Sequence, residues 1–266
     1  MIATFRIARA LLVIGGVTIL FAPLQLMGVK TGWWRGRRLL RTWHGVAARM
    51  IGLRVRVFGR PAEGRPLMLA CNHVSWLDIV TLGSVADVSF IAKSEVAGWP
   101  VFGWFSKMQR SVHIERDRRG RSGEQAGEIA QRLADGDIML LFAEGTTGDG
   151  NMVLPFKTTL FGAASMMLSA SPHDRLWIQP VAVAYTRLHG LPMGRRHRPL
   201  VSWIGDQDMV PHLLGVLRES AVDVEVHFGE PVAFDGGSNR KQVAREIEDR
   251  VRRLMHGALA EPAPSP

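Results

Sequence analysis

Hydrophobic and polar positions follow two different rhythms along this chain. From Ala10 to Val29 there is no charge, and only Thr18 and Gln25 are strongly polar, so 20 residues separate Arg9 from Lys30. That is about the length of one bilayer-crossing helix, and membrane helices tolerate breaks such as Gly15-Gly16 and Pro23. Lys30, Arg35, Arg37, Arg38 and Arg41 follow the stretch, against Arg6 and Arg9 before it. This bias places the bulk of the chain on the cytoplasmic side of the inner membrane, with Trp33 and Trp34 where an interfacial aromatic belt would lie. A cleaved signal peptide fits less well, because no small-x-small site precedes Lys30 and a basic stretch follows. A buried helix of a soluble core is the other reading. Length and flanks favour a membrane anchor, spanning or re-entrant, whose basic continuation rests on anionic head groups.

Beyond residue 48 the rhythm shortens. Apolar runs predict strands at Arg54–Phe58, Leu67–Cys71, Val88–Ala92, Ser111–Glu115, Ile138–Phe142, Trp177–Ala184, Leu200–Ile204 and Asp223–Phe228. Between them "SGEQAGEIAQRLADG" reads as a helix opened by Ser122, with Gln125 completing a capping box and Gly136 closing it. Val243, Ile247, Val251 and Leu254 recur at helical spacing and predict an amphipathic helix capped near Ser238. Strands alternating with helices imply an α/β fold, a single domain with a mixed, largely parallel sheet flanked by helices. Residues 1–48 are expected to form the anchoring helix and basic interfacial segment, 49–260 the domain, and 261–266, "EPAPSP", a disordered tail.

Composition narrows the partners. The 266 residues are 47% hydrophobic, enough for one ordinary core, and 33 Lys plus Arg against 24 Asp plus Glu give a net charge of +9. Such a balance suits an anionic surface, either acidic lipid or nucleic acid. Zinc spacing and aromatic RNA-binding motifs are missing, so nucleic acid is not expected and lipid is. With Cys71 as the single cysteine, neither an intramolecular disulfide nor a thiolate metal cluster can form.

The run "LMLACNHVSWLDIV" breaks at Asn72-His73 and resumes after Asp78. If Leu67–Cys71 is a strand and Ser75 caps a helix, His73 stands on the turn and Asp78 in the first helical turn. A carboxylate there can fix one imidazole nitrogen and leave the other as a general base. No serine or cysteine is placed to be acylated, so the base would act on a hydroxyl arriving with a substrate. The plainer alternative is a capping box at Ser75–Asp78, giving Asp78 a local task on backbone N–H groups. Metal ligation by the pair lacks a third ligand nearby, and a thiol in an apolar run, as at Cys71, is more often packing than a nucleophile.

Two further stretches carry chemistry. In "LLFAEGTTGDGN" a predicted strand exits into Glu144, Gly145 and Thr146, where glycine admits a close ligand and exposed N–H and hydroxyl groups can hold oxygens. Alone it is a polar turn. Parallel strands at Leu67–Cys71 and Ile138–Phe142 would turn His73 and Glu144 toward one crevice. In "QRSVHIERDRRGR" five arginines, Arg110, Arg116, Arg118, Arg119 and Arg121, suit phosphate or form a solvated basic face.

At these residues the chain resembles the bacterial glycerolipid acyltransferases of the lysophosphatidate acyltransferase type. "NHVSWLD" is similar to their NHx4D block through His73 and Asp78. "SVHIERDRR" is similar to the second block through Arg116, and "FAEGTT" to the third through Glu144, Gly145 and Thr146. "IQPVAVAY" is similar to the fourth through Pro180, and the four blocks stand in the family's order. The resemblance implies transfer of a fatty acyl group from acyl carrier protein or coenzyme A, with no cofactor and no metal, to the free hydroxyl of 1-acyl-sn-glycerol-3-phosphate. His73 and Asp78 would be catalytic; Arg116, Glu144, Gly145 and Thr146 would bind substrate. Ala143 and Thr147 depart from the family's proline and arginine, and His113 from a usual aromatic, leaving Arg116 with Arg119 or Lys157 for phosphate. The missing arginine makes lyso-ornithine lipid, whose head group has no phosphate, the alternative acceptor, with another lysolipid beside it. A thioester or lipid hydrolase and an inactive lipid-binding module are the rivals from other classes.

Overall fold

The computed structural model describes residues 2–31, 37–98, 100–114, 122–170 and 173–261. Helices α1 (Ile2–Thr31) and α2 (Arg37–Ile51) lead into strand β1 (Leu53–Phe58). Then come β2 (Leu67–Cys71), α3 (Leu77–Val85), β3 (Val88–Lys93), α4 (Ser94–Ala97), α5 (Pro100–Met108), β4 (Val112–Ile114), α6 (Ser122–Ala134) and β5 (Ile138–Phe142). The second half holds α7 (Gly162–Ala170), β6 (Arg175–Leu188), β7 (Leu191–Pro192), α8 (Met209–Glu219), β8 (Val222–Phe228), β9 (Val232–Asp235) and α9 (Arg240–Ala260).

Among the described residues the strands make one mixed sheet, ordered β1-β8-β6-β2-β5-β3-β4, with β7 and β9 also on β6. β2 runs parallel to β5 and β6, β3 to β5 and β4, and β1 to β8. β6 is antiparallel to β7, β8 and β9. The fold is therefore the mixed, largely parallel α/β domain that the alternation implied. β2 reads as an unbroken apolar run because both its faces are covered. Leu67, Leu69 and Cys71 pack with Ala47, Ile51 and Leu82, whereas Met68 and Ala70 pack with Ile129, Leu133, Ile247 and Val251 on the opposite face.

Several boundaries differ from the sequence reading. Leu200–Ile204 is not a strand: a 3-10 turn occupies Arg198–Leu200, and Val201 and Ser202 both donate to the Arg198 carbonyl. Pro199, with no N–H and a fixed φ, suits that turn and not a ladder. β6 runs on to Leu188 because β8 pairs along its second half, and β9 takes the first half. At α9 the cap is Asn239, whose side chain accepts from the Lys241 and Gln242 N–H groups, while Ser238 bonds to Asp235. α6 begins at Ser122, but the side chains of Ser122 and Gln125 lie outside the described residues, as do Trp33, Trp34, Arg35 and residues 262–266.

α1 packs along the domain, against α2, α8 and α5. Arg6 donates to the Arg218 carbonyl on α8, Trp43 Nε1 to Thr18 Oγ1 at 2.8 Å, and Gln25 Nε2 to the Met108 carbonyl at 3.0 Å. Small residues Ala10, Ala22 and Gly28 are buried on that side, while Phe5, Leu12, Ile19 and Leu20 point away and are exposed. A helix of about 45 Å, apolar on its outer face, needs a non-aqueous neighbour there.

Candidate active site

The ends of β2 and β5 are in register, with Cys71 opposite Phe142, and the Ala143 N–H donates to the Cys71 carbonyl at 3.0 Å. Both strands therefore empty into one place. Asn72 holds the break open: its side chain donates to the Val183 carbonyl at 3.0 Å and accepts from the Val183 N–H at 2.8 Å. This amide imitates one more rung of the β2–β6 ladder, so the chain can leave the sheet at His73 without orphaning the β6 backbone.

Asp78, in the first turn of α3, is fully buried and surrounded by donors. Its Oδ2 accepts from His73 Nδ1 at 2.8 Å, from the Val74 N–H at 2.6 Å and from the Ser75 N–H at 3.0 Å. Its Oδ1 accepts from the Tyr185 hydroxyl at 2.7 Å. The local task and the histidine task are thus one and the same. Ser75 is not the cap: Trp76 stands at that position, and Ser75 Oγ is buried with no partner among the described residues. Since Asp78 Oδ2 already receives two backbone hydrogens, Nδ1 of His73 carries the proton and Nε2 is left as an acceptor. Nε2 makes no hydrogen bond among the described residues, and 19% of the side chain is exposed. The ring lies flat on Phe142, centroids 3.9 Å apart, which fixes its plane.

The β5 exit closes on the same turn. Glu144 Oε1 accepts from the His73 N–H at 3.3 Å, and the Gly148 N–H donates to the His73 carbonyl at 2.7 Å. Burial pushes the Glu144 carboxyl up to about 8, with the Asp78 charge adding to the rise against the bond from His73. At neutral pH it is therefore mostly a neutral acid, which lets it sit beside Asp78. Gly145 takes a positive φ of 70° in this turn, a conformation open to glycine at no steric cost. Thr146 is exposed, and Thr147 donates its hydroxyl to the Trp203 carbonyl.

His73, Asp78 and Glu144 are therefore brought into direct contact, Gly145 shapes the turn and Thr146 stands on the surface. Arg116, together with Arg118, Arg119 and Arg121, lies outside the described residues; Arg110 is within ion-pair distance of Asp137 instead. Two contributors went unassigned from sequence, Asn72 and Tyr185. Both lie inside the quoted blocks, and Tyr185 is the single tyrosine of the chain. Burial, then the Asp78 charge, push its hydroxyl well above the usual phenol range, so it donates. Burial, then the charges of Asp78 and Glu144, likewise raise the Cys71 thiol, which keeps it protonated and a poor nucleophile. Among the described residues no three His, Cys, Asp or Glu side chains converge to share a metal ion.

A histidine paired with a carboxylate at the end of a strand occurs in many enzymes, and comparison with known proteins is more specific. The family model described as Acyltransferase matches residues 54–184. The lyso-ornithine lipid O-acyltransferase of Brucella abortus is 52% identical over 97% of each chain. That of Rhizobium meliloti is 47% identical over 100% of this chain and 94% of its own. Among solved structures, the crystal structure of the 1-acyl-sn-glycerophosphate acyltransferase PlsC from Thermotoga maritima superposes with a TM-score of 0.64, covering 97% of this chain and 99% of that one at 21% identity. At that identity the likeness speaks to the fold.

Proposed function

The chain belongs to the acyltransferase family, and from that premise we propose that it is a membrane-attached lyso-ornithine lipid O-acyltransferase. The observation that carries the choice of acceptor is the near full-length likeness to two proteins of that name. Relatives named for a glycerophosphate acceptor match less of the chain: one from Neisseria meningitidis is 38% identical over 49% of it, and the Thermotoga maritima structure shares the fold at 21% identity. The sequence reading put 1-acyl-sn-glycerol-3-phosphate first; the relatives support the other acceptor. Thr147 agrees with them, since it stands where a phosphate-binding arginine was expected and spends its hydroxyl on Trp203.

In this reading His73 Nε2 takes the proton from the acceptor's free hydroxyl as that oxygen attacks the thioester carbonyl of acyl carrier protein or coenzyme A. The tetrahedral adduct collapses, the C–S bond breaks, and the imidazolium returns its proton to the departing sulfur. Asp78 steadies the imidazolium and keeps Nε2 turned toward the acceptor, and Glu144 holds the backbone of His73. Gly145 and Thr146 belong to the substrate side of the same mouth, and Arg116 would bind substrate with them. The donor is soluble and the acceptor is a lipid, which accounts for an anchor at residues 1–48 and an acyltransferase domain at 49–260 in one chain. The outward apolar face of α1 enters the inner membrane from its cytoplasmic side, and the basic segment rests on anionic head groups.

The test offers purified protein an acyl thioester with lyso-ornithine lipid, with 1-acyl-sn-glycerol-3-phosphate, or with no acceptor. Ester formation on the ornithine lipid is expected. Transfer to the glycerophosphate alone overturns the acceptor, and full-rate release of fatty acid without an acceptor makes the protein a hydrolase.

A further inference from the structure

Arg198 is a cation folded into the protein with no carboxylate against it. Only 8% of its surface is exposed. Among the described residues its guanidinium has one hydrogen-bond partner, Asn151 Oδ1 at 2.5 Å, and Nε is buried with none. No described acid forms an ion pair with it; Asp149 acts on it only through space. A buried charge left uncompensated is costly, and a guanidinium fork with open positions suits an incoming carboxylate.

Its place in the fold ties it to the site. Gly150, at a positive φ of 71°, packs between the two: a Cβ added there would stand 3.1 Å from Val74 Cγ1 and 3.8 Å from Arg198 Cδ. Val74 follows His73 directly, and its carbonyl accepts from the Trp203 N–H at 3.0 Å. The stem of Arg198 therefore lies alongside the turn that carries the base. On the other side of Asn151 stands Asp149, which accepts from the Asn151 side chain and N–H, both at 2.8 Å. Asp149 is exposed, and although burial opposes it, the hydrogen bonds from Asn151 hold its carboxyl below the usual range. A positive and a negative group thus flank one amide at the rim of the catalytic turn.

We propose that Arg198 takes the carboxylate, and Asp149 the ammonium, of an amino-acid head group on the acceptor lipid, with Asn151 spacing the two. Ornithine acylated on one nitrogen keeps one carboxylate and one ammonium, so the inference rests on the acceptor proposed above and deepens it. It also gives Thr147 a reason: the cation for the head group comes from the 198–203 segment, so the β5 exit needs none.

The experiment compares three acceptors: lyso-ornithine lipid, its carboxylate methyl ester, and the 3-hydroxyacyl monoamide of 1,4-diaminobutane, which lacks the carboxylate altogether. Wild type should favour the acid over both analogues in kcat/KM by roughly ten- to a hundredfold, the range for a hydrogen bond to a charged group. Arg198→Gln should erase that preference by raising KM for the acid while treating the analogues as wild type does. Asp149→Asn, at an exposed position, should raise KM for the acid but not for its acetylated-amine form. Equal use of acid and ester by the wild type overturns the assignment without any variant, so a variant that fails to fold leaves it decidable. Loss in Arg198→Gln that is the same for all three acceptors also overturns it. Failure of wild type to acylate lyso-ornithine lipid at all is a different result and sinks the acceptor itself.

Discussion

Tyr185 donates its hydroxyl to Asp78 Oδ1 at 2.7 Å, joining β6 to the first turn of α3 across 107 positions of sequence. The carboxylate that aligns His73 is therefore itself aligned from the sheet. Tyr185→Phe removes one donor and leaves the three on Oδ2, so kcat should fall about two- to tenfold, the net worth of one hydrogen bond, with KM unchanged. A rise in KM alone would mean that the hydroxyl meets substrate and not Asp78. Steady-state kinetics on the variant decides between them.

His73→Ala removes the base and should lower kcat by roughly two to four orders of magnitude while vesicle-borne acceptor still binds. Asp78→Asn should cost a comparable loss and should also lower the melting temperature. The Val74 and Ser75 N–H groups and the Tyr185 hydroxyl would then share an amide oxygen, and leaving buried donors unmet costs about 1–3 kcal/mol each. A His73→Ala protein at near full rate refutes the mechanism outright.

Glu144 makes stability depend on pH. Its carboxyl is held at about 8 in the folded chain against an ordinary value of 4.5, so the folded state binds the extra proton. Stability from this group is fully present below pH 4.5 and is lost as pH rises through 8. Glu144→Gln keeps the shape without the titration. Its melting temperature relative to wild type should climb between pH 4.5 and 8; a flat difference across that window would show that the carboxyl is not held neutral.

Asn72→Ala should be the most destabilising single change at the site outside Asp78. Both of its bonds to Val183 vanish and the Val183 N–H and carbonyl are left buried, a loss of about 2–4 kcal/mol. Thermal unfolding in detergent measures it, and a drop of under about 1 °C would show that water replaces the amide.

Removing residues 2–31 should yield aggregated protein and not a soluble domain. α1 covers part of the core through Ala10, Ile7 and Ile14, and its loss exposes apolar surface on α2 and α8. Sedimentation of the truncated chain checks this, and recovery of a monodisperse, active domain would contradict it.

The legible parts of this protein share one physical property. Leu67–Cys71 and Ile138–Phe142 are buried on both faces, so every residue is apolar and the strands announce themselves without reference to any partner. α9 is just as plain, because Val243, Ile247 and Val251 turn one stripe toward the sheet. The 200–204 run misled because its apolar residues serve a turn lodged against Val74, where no ladder exists to demand a strand. His73 and Asp78 were visible because five positions of chain suffice to bring a turn and a helix start together.

The sequence by itself determined the long apolar helix at residues 2–31, the alternation of strands and helices, and the local histidine–carboxylate pair, since each depends on neighbours within a few turns of chain. Only the tertiary structure decided that Tyr185 completes the carboxylate's shell, that Asn72 splices β2 to β6, that Arg198 lies beside the turn of His73, and that α1 lies along the domain. The reason is that those contacts join residues dozens to hundreds of positions apart. Their geometry is set by the order of strands in the sheet, which hydrophobic periodicity does not encode.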